Sequence, residues 1–192
     1  MRKLKLQVQV SIDGFIAGPN AEMDWMQWEW DDKLKNYVLD LTASVDCIVL
    51  GRVLAQGFIT YWGNIAANKN DSQYEFAKKM TDYKKIIFTN TLEKIEADWK
   101  NTVLTKSDLV TSIKQLKQES GKDIIVYGGA QFVSALIKEN LIDELHLFIN
   151  PSAIGSGMPI FQAIDGVINY QLIASHGYDC GIVVTQYGLK NA

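Results

Sequence analysis

Residues 123–132, DIIVYGGAQF, constrain the fold of this chain more than any other stretch. An apolar, β-branched run ends in two glycines, and apolar residues then recur at helical spacing: Phe132, Val133, Leu136 and Ile137. This order predicts a strand, a tight glycine turn and a helix. The free N–H groups and the dipole at the start of that helix can bind a phosphate or a carboxylate, and Gly128 and Gly129 would allow close approach. An ordinary connection between a strand and a helix explains the same residues.

Composition is that of an ordinary globular chain and excludes several functional classes. The 192 residues are expected to form one domain, 1–192, with 47% hydrophobic and 21% charged residues. A net charge of −3 argues against nucleic acid as a partner, and no apolar run is long enough to span a membrane. The N-terminus lacks the apolar core of a signal peptide. Cys47 and Cys180 are expected to be reduced in a cytoplasmic protein, and with two histidines no metal site is expected.

Strand patterns alternate with helix patterns along the chain. Strands are predicted at 4–12, 47–50, 85–88, 102–104, 144–149, 170–175 and 182–187, and in the run from Asp123 to the paired glycines. Helices are predicted over 31–42, from Gly51-Arg52 to about Phe58, from a Ser72-x-x-Glu75 capping box, from a Ser107 cap to Gly121, and after Gly129. These repeats predict an α/β fold with three layers (αβα), in which a mostly parallel sheet ends in an antiparallel hairpin around 177–181.

Turns at the ends of the predicted parallel strands gather the candidate residues for an anionic ligand. Ligands of such sheets bind at the carboxyl ends of the strands, where Gly51-Arg52 and Gly128-Gly129 both lie. Arg52 could pair with a phosphate, although an exposed arginine at a helix start has the same appearance. Thr89 and Asn90 follow another strand and offer small donors for a phosphate or a ribose.

A second group of residues could surround a flat ring. Asp13 and Gly14 end the first strand, and Ile16 and Ala17 follow as apolar contacts. Trp25, Trp28 and Trp30 fall within six residues, a cluster that is usually core or interface and can also line an aromatic site. The long irregular segment 150–161, which contains Gly155 and Phe161, has the length of many functional loops.

Acidic residues at the start of the first predicted helix leave two interpretations open. Asp31 and Asp32 occupy positions where acids commonly cap a helix and oppose its dipole. If one of them faced a cleft lined by tryptophan, burial would raise its pKa and suit it to proton transfer.

Together these motifs resemble the dihydrofolate reductase superfamily, and most closely the C-terminal reductase domain of the bifunctional riboflavin-biosynthesis deaminase/reductase. Five segments match in order over nearly the whole chain: 11–17, Gly51-Arg52, 126–131, 141–145 and 151–161. The zinc deaminase signature is absent, so the resemblance is to the reductase half and its stand-alone relatives.

The resemblance implies a reductase that transfers hydride from NADPH to a pteridine- or pyrimidine-type substrate, acting as a homodimer. The implied cofactor residues are Ala17, Gly51, Arg52, Thr89, Asn90, Gly128, Gly129, Ala130 and Gln131. The implied substrate residues are Asp13, Ile16, Trp25, Gly155 and Phe161. Asp31 or Asp32 falls near the single carboxylate of dihydrofolate reductases, as the candidate catalytic group.

Three positions depart from the family pattern and support an alternative function. Val53 and Leu54 follow Arg52 where a basic or polar residue and then threonine are usual. Gln131 stands where many dihydrofolate reductases have arginine, which removes one contact to a 2′-phosphate. The alternative is a module that binds a nucleotide or small molecule without catalysis.

Overall fold

The computed structural model describes residues 1–95 and 99–190, and one eight-stranded sheet forms its centre. Its strands are β1 (Leu4–Val10), β2 (Val45–Gly51), β3 (Lys84–Phe88), β4 (Thr102–Thr105), β5 (Asp123–Val126), β6 (Glu144–Ile149), β7 (Tyr170–Gly177) and β8 (Val183–Leu189). The order across the sheet is β4-β3-β2-β5-β1-β6-β8-β7. The first six strands of that order are parallel, and β8 runs antiparallel to both β6 and β7.

Within the described residues, five helices cover the two faces of the sheet: α1 (Asp32–Ala43), α2 (Arg52–Ala66), α3 (Tyr74–Asp82), α4 (Leu109–Gln118) and α5 (Ala130–Lys138). Alternate residues of β1 pack with α4 and α5 on one face, while α1, α2 and α3 form two apolar clusters on the other. The predicted three-layer arrangement with an antiparallel hairpin is therefore confirmed. No helix in the described ranges is both long and apolar enough to cross a lipid bilayer.

Helix boundaries correct the sequence predictions at three places. Helix α2 continues past Phe58 to Ala66 because Ala55 and Ile59 extend its buried face through two glycines. The predicted Ser72-x-x-Glu75 capping box is wrong, since α3 begins at Tyr74 after Gln73 and has no side-chain cap. The cap of α4 is Asp108 rather than Ser107, because the Asp108 side chain accepts from the Thr111 N–H at 2.8 Å.

Polar side chains connect α1, β6 and the residue before β1. The Tyr37 hydroxyl lies 2.6 Å from Nδ1 of His146, whose Nε2 lies 3.5 Å from a carboxylate oxygen of Glu144. Lys3 forms an ion pair with the other oxygen of Glu144 at 2.6 Å. His146 is therefore a packed residue that joins α1 to the sheet, in agreement with its position inside a predicted strand.

Acidification is expected to weaken the fold through Glu144. The contact with His146, followed by the ion pair with Lys3, lowers the pKa of Glu144 from 4.5 to about 2. Because the folded state depresses this pKa, the stabilisation is complete above about pH 4.5 and is lost as the pH falls toward about 2. We expect a loss of about 2 kcal/mol, allowing for solvent screening, in urea unfolding compared between about pH 6 and pH 2.5. Glu144→Gln should abolish this part of the pH dependence, and an unchanged dependence would contradict the assignment.

Candidate active site

The carboxyl ends of the parallel strands bring most of the predicted site residues to one edge of the sheet. The turns after β1, β2, β3, β5 and β6 all open at this edge, and so does the β7–β8 hairpin at 177–181. The edge has two halves. The half beside α2 and α5 holds Gly51, Arg52, Gly128 and Gly129, whereas the half beside α1 is covered by residues 11–31 and 150–161.

Two helices in the first half begin without a side-chain cap. Gly51 precedes α2 and Gly129 precedes α5, and neither helix has an acidic residue in its first turn. By contrast, Asp31 caps α1 and Asp108 caps α4. The leading N–H groups of α2 and α5 therefore keep their partial positive charge for an external acceptor.

The starts of α2 and α5 are in close contact, which requires glycine at Gly51. A Cβ at Gly51 would lie 2.9 Å from the Cβ of Phe132 on α5. Gly128 and Gly129 have φ angles of +134° and +83°, a region that favours glycine. A Cβ added at Gly128 or Gly129 would lie 3.9 Å from the Leu54 side chain of α2, an ordinary van der Waals contact. Two helix termini without side-chain caps therefore meet around three glycines, with Leu54 and Phe132 as the neighbouring side chains.

Polar residues around these termini differ in how much of their hydrogen-bonding capacity is already used. Arg52 and Gln131 are exposed, and neither has a hydrogen-bond partner within the described ranges. Asn90 is also exposed, next to the buried Thr89. The Thr89 hydroxyl oxygen accepts from the N–H of Leu92 at 2.9 Å. Arg52 is thus the one guanidinium on this half that can reach an anion, while Thr89 shapes the turn.

Asp13 ties the first-strand turn to the long loop on the other half of the site. Its carboxylate accepts from the Ser11 hydroxyl at 2.6 Å and from the N–H of Gly155 at 2.7 Å. The Ser11 hydrogen bond, with that from Gly155, lowers the pKa of Asp13. Gly155 has φ of +74°, so the loop turns sharply where Asp13 holds it. The contact between Asp13 and Gly155 thus fixes the position of the loop relative to the first strand.

Residues 15–17 and 157–159 form a short antiparallel ladder above the sheet edge. Met158 donates its N–H to the Ala17 carbonyl at 2.8 Å, and Ile16 donates to the Met158 carbonyl at 3.0 Å. A Cβ at Gly157 would lie 2.2 Å from the Ala17 carbonyl oxygen. Ile16 and Ala17 are buried by this ladder, whereas Phe161 beyond it remains 37% exposed.

The tryptophan segment is fixed to the same loop by polar contacts that the sequence did not reveal. Asn150, fully buried, accepts from the Gln27 N–H at 2.7 Å and donates to Gln9 at 3.1 Å. The Ser152 hydroxyl donates to the Trp25 carbonyl at 3.2 Å. A polar residue immediately after a buried strand, as Asn150 is, was the available signal for this role.

Asp31 and Asp32 are placed unfavourably for proton donation. Asp31 accepts from the N–H groups of Leu34 at 2.9 Å and Cys180 at 3.2 Å, and the Leu34 bond is the main reason that its pKa is lowered. The Asp32 side chain is 95% exposed and lies 3.4 Å from Lys35. The capping interpretation of Asp31 is confirmed, and the catalytic interpretation of both residues has no support from this geometry.

Gln131 also borders a surface depression of about 410 Å³ that runs along the outer side of α5 to Lys138. A second depression, of about 470 Å³, lies away from the candidate edge, beside Asp82 and Trp99. The candidate site is therefore defined by the backbone groups at the starts of α2 and α5 and by the loops over its other half.

Structures of similar fold include proteins with a reductase domain. A protein provisionally assigned to riboflavin biosynthesis in Shewanella sp. PV-4 superposes with a TM-score of 0.75 and 22% identity over all of both chains. The diaminohydroxyphosphoribosylaminopyrimidine deaminase/5-amino-6-(5-phosphoribosylamino)uracil reductase of Thermotoga maritima gives 0.68 at 14% identity, covering 98% of this chain and 57% of that one. Dihydrofolate reductase from Enterococcus faecalis, in complex with NADP(H), gives 0.62 at 14% identity, covering 98% and 97%. These likenesses confirm a dihydrofolate-reductase-like fold.

Sequence comparison extends over nearly the whole chain. The uncharacterized protein YyaP of Bacillus subtilis (strain 168) is 29% identical over 187 residues, which covers 97% of this chain and 94% of YyaP. The model of the RibD C-terminal domain matches residues 2–184. The chain therefore belongs to the RibD C-terminal domain family.

Proposed function

We propose that this protein is an NADPH-dependent reductase that transfers hydride to a pteridine- or pyrimidine-type substrate. The observation that carries the proposal is the convergence of two uncapped helix termini with Arg52 at the carboxyl edge of the sheet. A dinucleotide diphosphate requires such a surface of N–H donors and a cation. Membership of a reductase family and the likeness to an NADP(H)-bound dihydrofolate reductase support the same cofactor.

The residues present fit the phosphates of this cofactor. The Gly-Gly turn places no Cβ beside the leading N–H groups of α5, and Arg52, which has no partner among the described residues, lies at the start of α2. Asn90 and Gln131 are exposed polar groups on the same half, available to a ribose or its 2′-phosphate. NADPH, when bound, would supply a hydride to the substrate.

Orientation is the main contribution that the rest of the site can make to the reaction. The ladder between 15–17 and 157–159 and the Asp13 contacts to Gly155 fix the loops that would hold both rings. Fixed loops of this kind accelerate hydride transfer by holding donor and acceptor in one geometry and excluding water. Asp13 and Asp31 both have lowered pKa values, so the proton that accompanies hydride would come from solvent or from the substrate.

Binding of the reduced cofactor is the direct test of the proposal. Purified protein should quench or enhance nicotinamide fluorescence and saturate with NADPH at micromolar concentrations. NADH titrated in parallel measures the preference for the 2′-phosphate. Failure of both cofactors to bind would contradict the proposed function.

Replacing Arg52 with alanine should weaken NADPH binding by about tenfold to a hundredfold, the usual effect of losing a charge-assisted hydrogen bond. The side chain is exposed and lacks described partners, so the folded structure should persist. Lys114→Ala, an exposed cation on the opposite face of the sheet, is the matched control. Equal affinity of Arg52→Ala and the native protein for NADPH would show that the phosphates bind elsewhere.

A module that binds a nucleotide or small molecule without catalysis is the second candidate. The specific observation in its favour is that Asp13 and Asp31, two carboxylates of the segments that frame the candidate edge, already accept backbone hydrogen bonds. Saturation with NADPH but no oxidation of it by any pteridine or pyrimidine would favour this function. A homodimer stays a prediction, which sedimentation velocity would test.

A further inference from the structure

The half of the site beside α1 contains no basic side chain in the segments that frame it. Residues 11–31, 150–161 and 177–181 include no lysine, arginine or histidine, although the whole chain has 19 lysines and arginines. The same segments carry the carboxylates of Asp13, Glu22, Asp24, Glu29, Asp31 and Asp179. A phosphate brought to this half would meet like charge without a cation to offset it.

The N–H donors at the start of α1 are also less available to an anion on this half. The Asp31 carboxylate accepts from the Leu34 N–H in the first turn of α1, and Asp32 adds a second negative charge in that turn. The termini of α2 and α5 on the other half have neither a cap nor an acid. The capacity to bind anions is thus confined to the half assigned to the cofactor.

Cations next to these segments do not alter that balance. Lys33 of α1 is 3.4 Å from the carboxylate of Asp179, and both side chains are more than three-quarters exposed. His176 is exposed on β7, next to the hairpin. Lys33 is therefore offset by its partner and faces solvent.

The half beside α1 instead exposes aromatic side chains. Trp28 is 61% exposed and stacks on Trp30 with ring centroids 6.5 Å apart and planes at 21°. Trp30 in turn rests on the buried ring of Phe148 at 6.0 Å. An exposed indole face beside carboxylates suits a flat ring that is neutral or positively charged.

We infer that the ring substrate is an unphosphorylated heteroaromatic compound that binds beside α1 against Trp28. This inference rests on the proposed function, and it separates the chain from the Thermotoga maritima reductase, whose name specifies a phosphoribosyl compound. The two halves of the site then divide the ligands by charge, with the phosphates of the cofactor on the α2–α5 half.

Pairs of ligands that differ by one phosphate test the inference in the whole 192-residue chain. NADPH is first titrated alone, because absence of saturation would refute the proposed function on which this inference depends. With NADPH saturating, binding of 5-amino-6-(ribosylamino)uracil and of its 5-phosphate is then followed by tryptophan fluorescence and by NADPH oxidation. Riboflavin and FMN, which differ by one phosphate, form a second pair. Because NADPH then occupies the α2–α5 half, that half cannot bind the phosphate of the phosphorylated ligand in each pair.

The unphosphorylated member of each pair should bind at least about tenfold more tightly, and the difference should shrink as salt screens the carboxylates. Glu29→Lys should reduce the difference in affinity between the two members of a pair. Glu139→Lys, at the exposed end of α5, should leave that difference unchanged. Equal or tighter binding of the phosphorylated members would overturn the inference. So would failure of every pair to bind while NADPH still saturates, because the ring class would then be wrong.

Discussion

Replacing Phe148 with alanine is expected to lower the free energy of unfolding by about 3–5 kcal/mol, the range for deleting a buried aromatic ring. Phe148 is fully buried, and its ring centroid lies 5.9 Å from that of Tyr37 of α1 and 6.0 Å from that of Trp30. The ring thus joins the sheet, the first helix and the tryptophan segment. Urea unfolding followed by circular dichroism measures the loss, and tryptophan emission should shift to the red as Trp30 becomes hydrated.

Phe148→Leu provides the control for this effect, since it retains most of the apolar volume and should cost less than about 1.5 kcal/mol. Phe161→Ala removes a ring of the same kind from a partly exposed position and should cost still less. A loss below about 1 kcal/mol for Phe148→Ala would mean that the cluster around α1 collapses onto the vacated space.

Gly157→Ala is expected to destabilise the protein by about 1–3 kcal/mol, a typical cost of forcing a methyl group into packed backbone. The added Cβ would approach the Ala17 carbonyl oxygen to 2.2 Å, and that oxygen is the acceptor for Met158. The ladder that orders both loops must therefore open. We expect the NADPH affinity to fall together with the melting temperature.

Gly177→Ala is the matched control, because a Cβ at Gly177 would meet no atom within 4 Å. Its unfolding free energy should stay within about 0.5 kcal/mol of that of the native protein. Native stability and native NADPH affinity in Gly157→Ala would show that the loops separate easily and that their contact is unimportant for the site.

Periodicity and turn chemistry sufficed to predict the layers of this fold. The strand ending in Gly128-Gly129 and the helix after it lie as predicted, because β-branched residues, paired glycines and helical spacing all favoured one local structure. Boundaries were less predictable. Ser72 had the sequence of a capping box, yet α3 begins only at Tyr74, so this local pattern did not determine where the helix starts.

The candidate site could be located from the sequence but its internal contacts could not. The carboxyl ends of parallel strands lie at one edge of the sheet. The sequence therefore predicted that Arg52 and the Gly-Gly turn lie close together. The roles of Asp13 and Asn150 depend on partners more than 100 residues away in the chain, Gly155 and Gln27. No local pattern encodes such a pairing, and Asp31 could be assigned as a cap rather than a proton donor only when its acceptor contacts were visible.

The position of β1 within the sheet determines when the protein can fold. β1 is the first strand along the chain, yet both of its neighbours, β5 and β6, come from residues 123–149. During synthesis the apolar residues of β1 stay unpaired until residues 123–149 have left the ribosome. Loop closure over such separations in sequence is slow. Nascent chains that stop before β6 will expose this strand, so we expect them to require chaperones and to aggregate when chaperones are depleted.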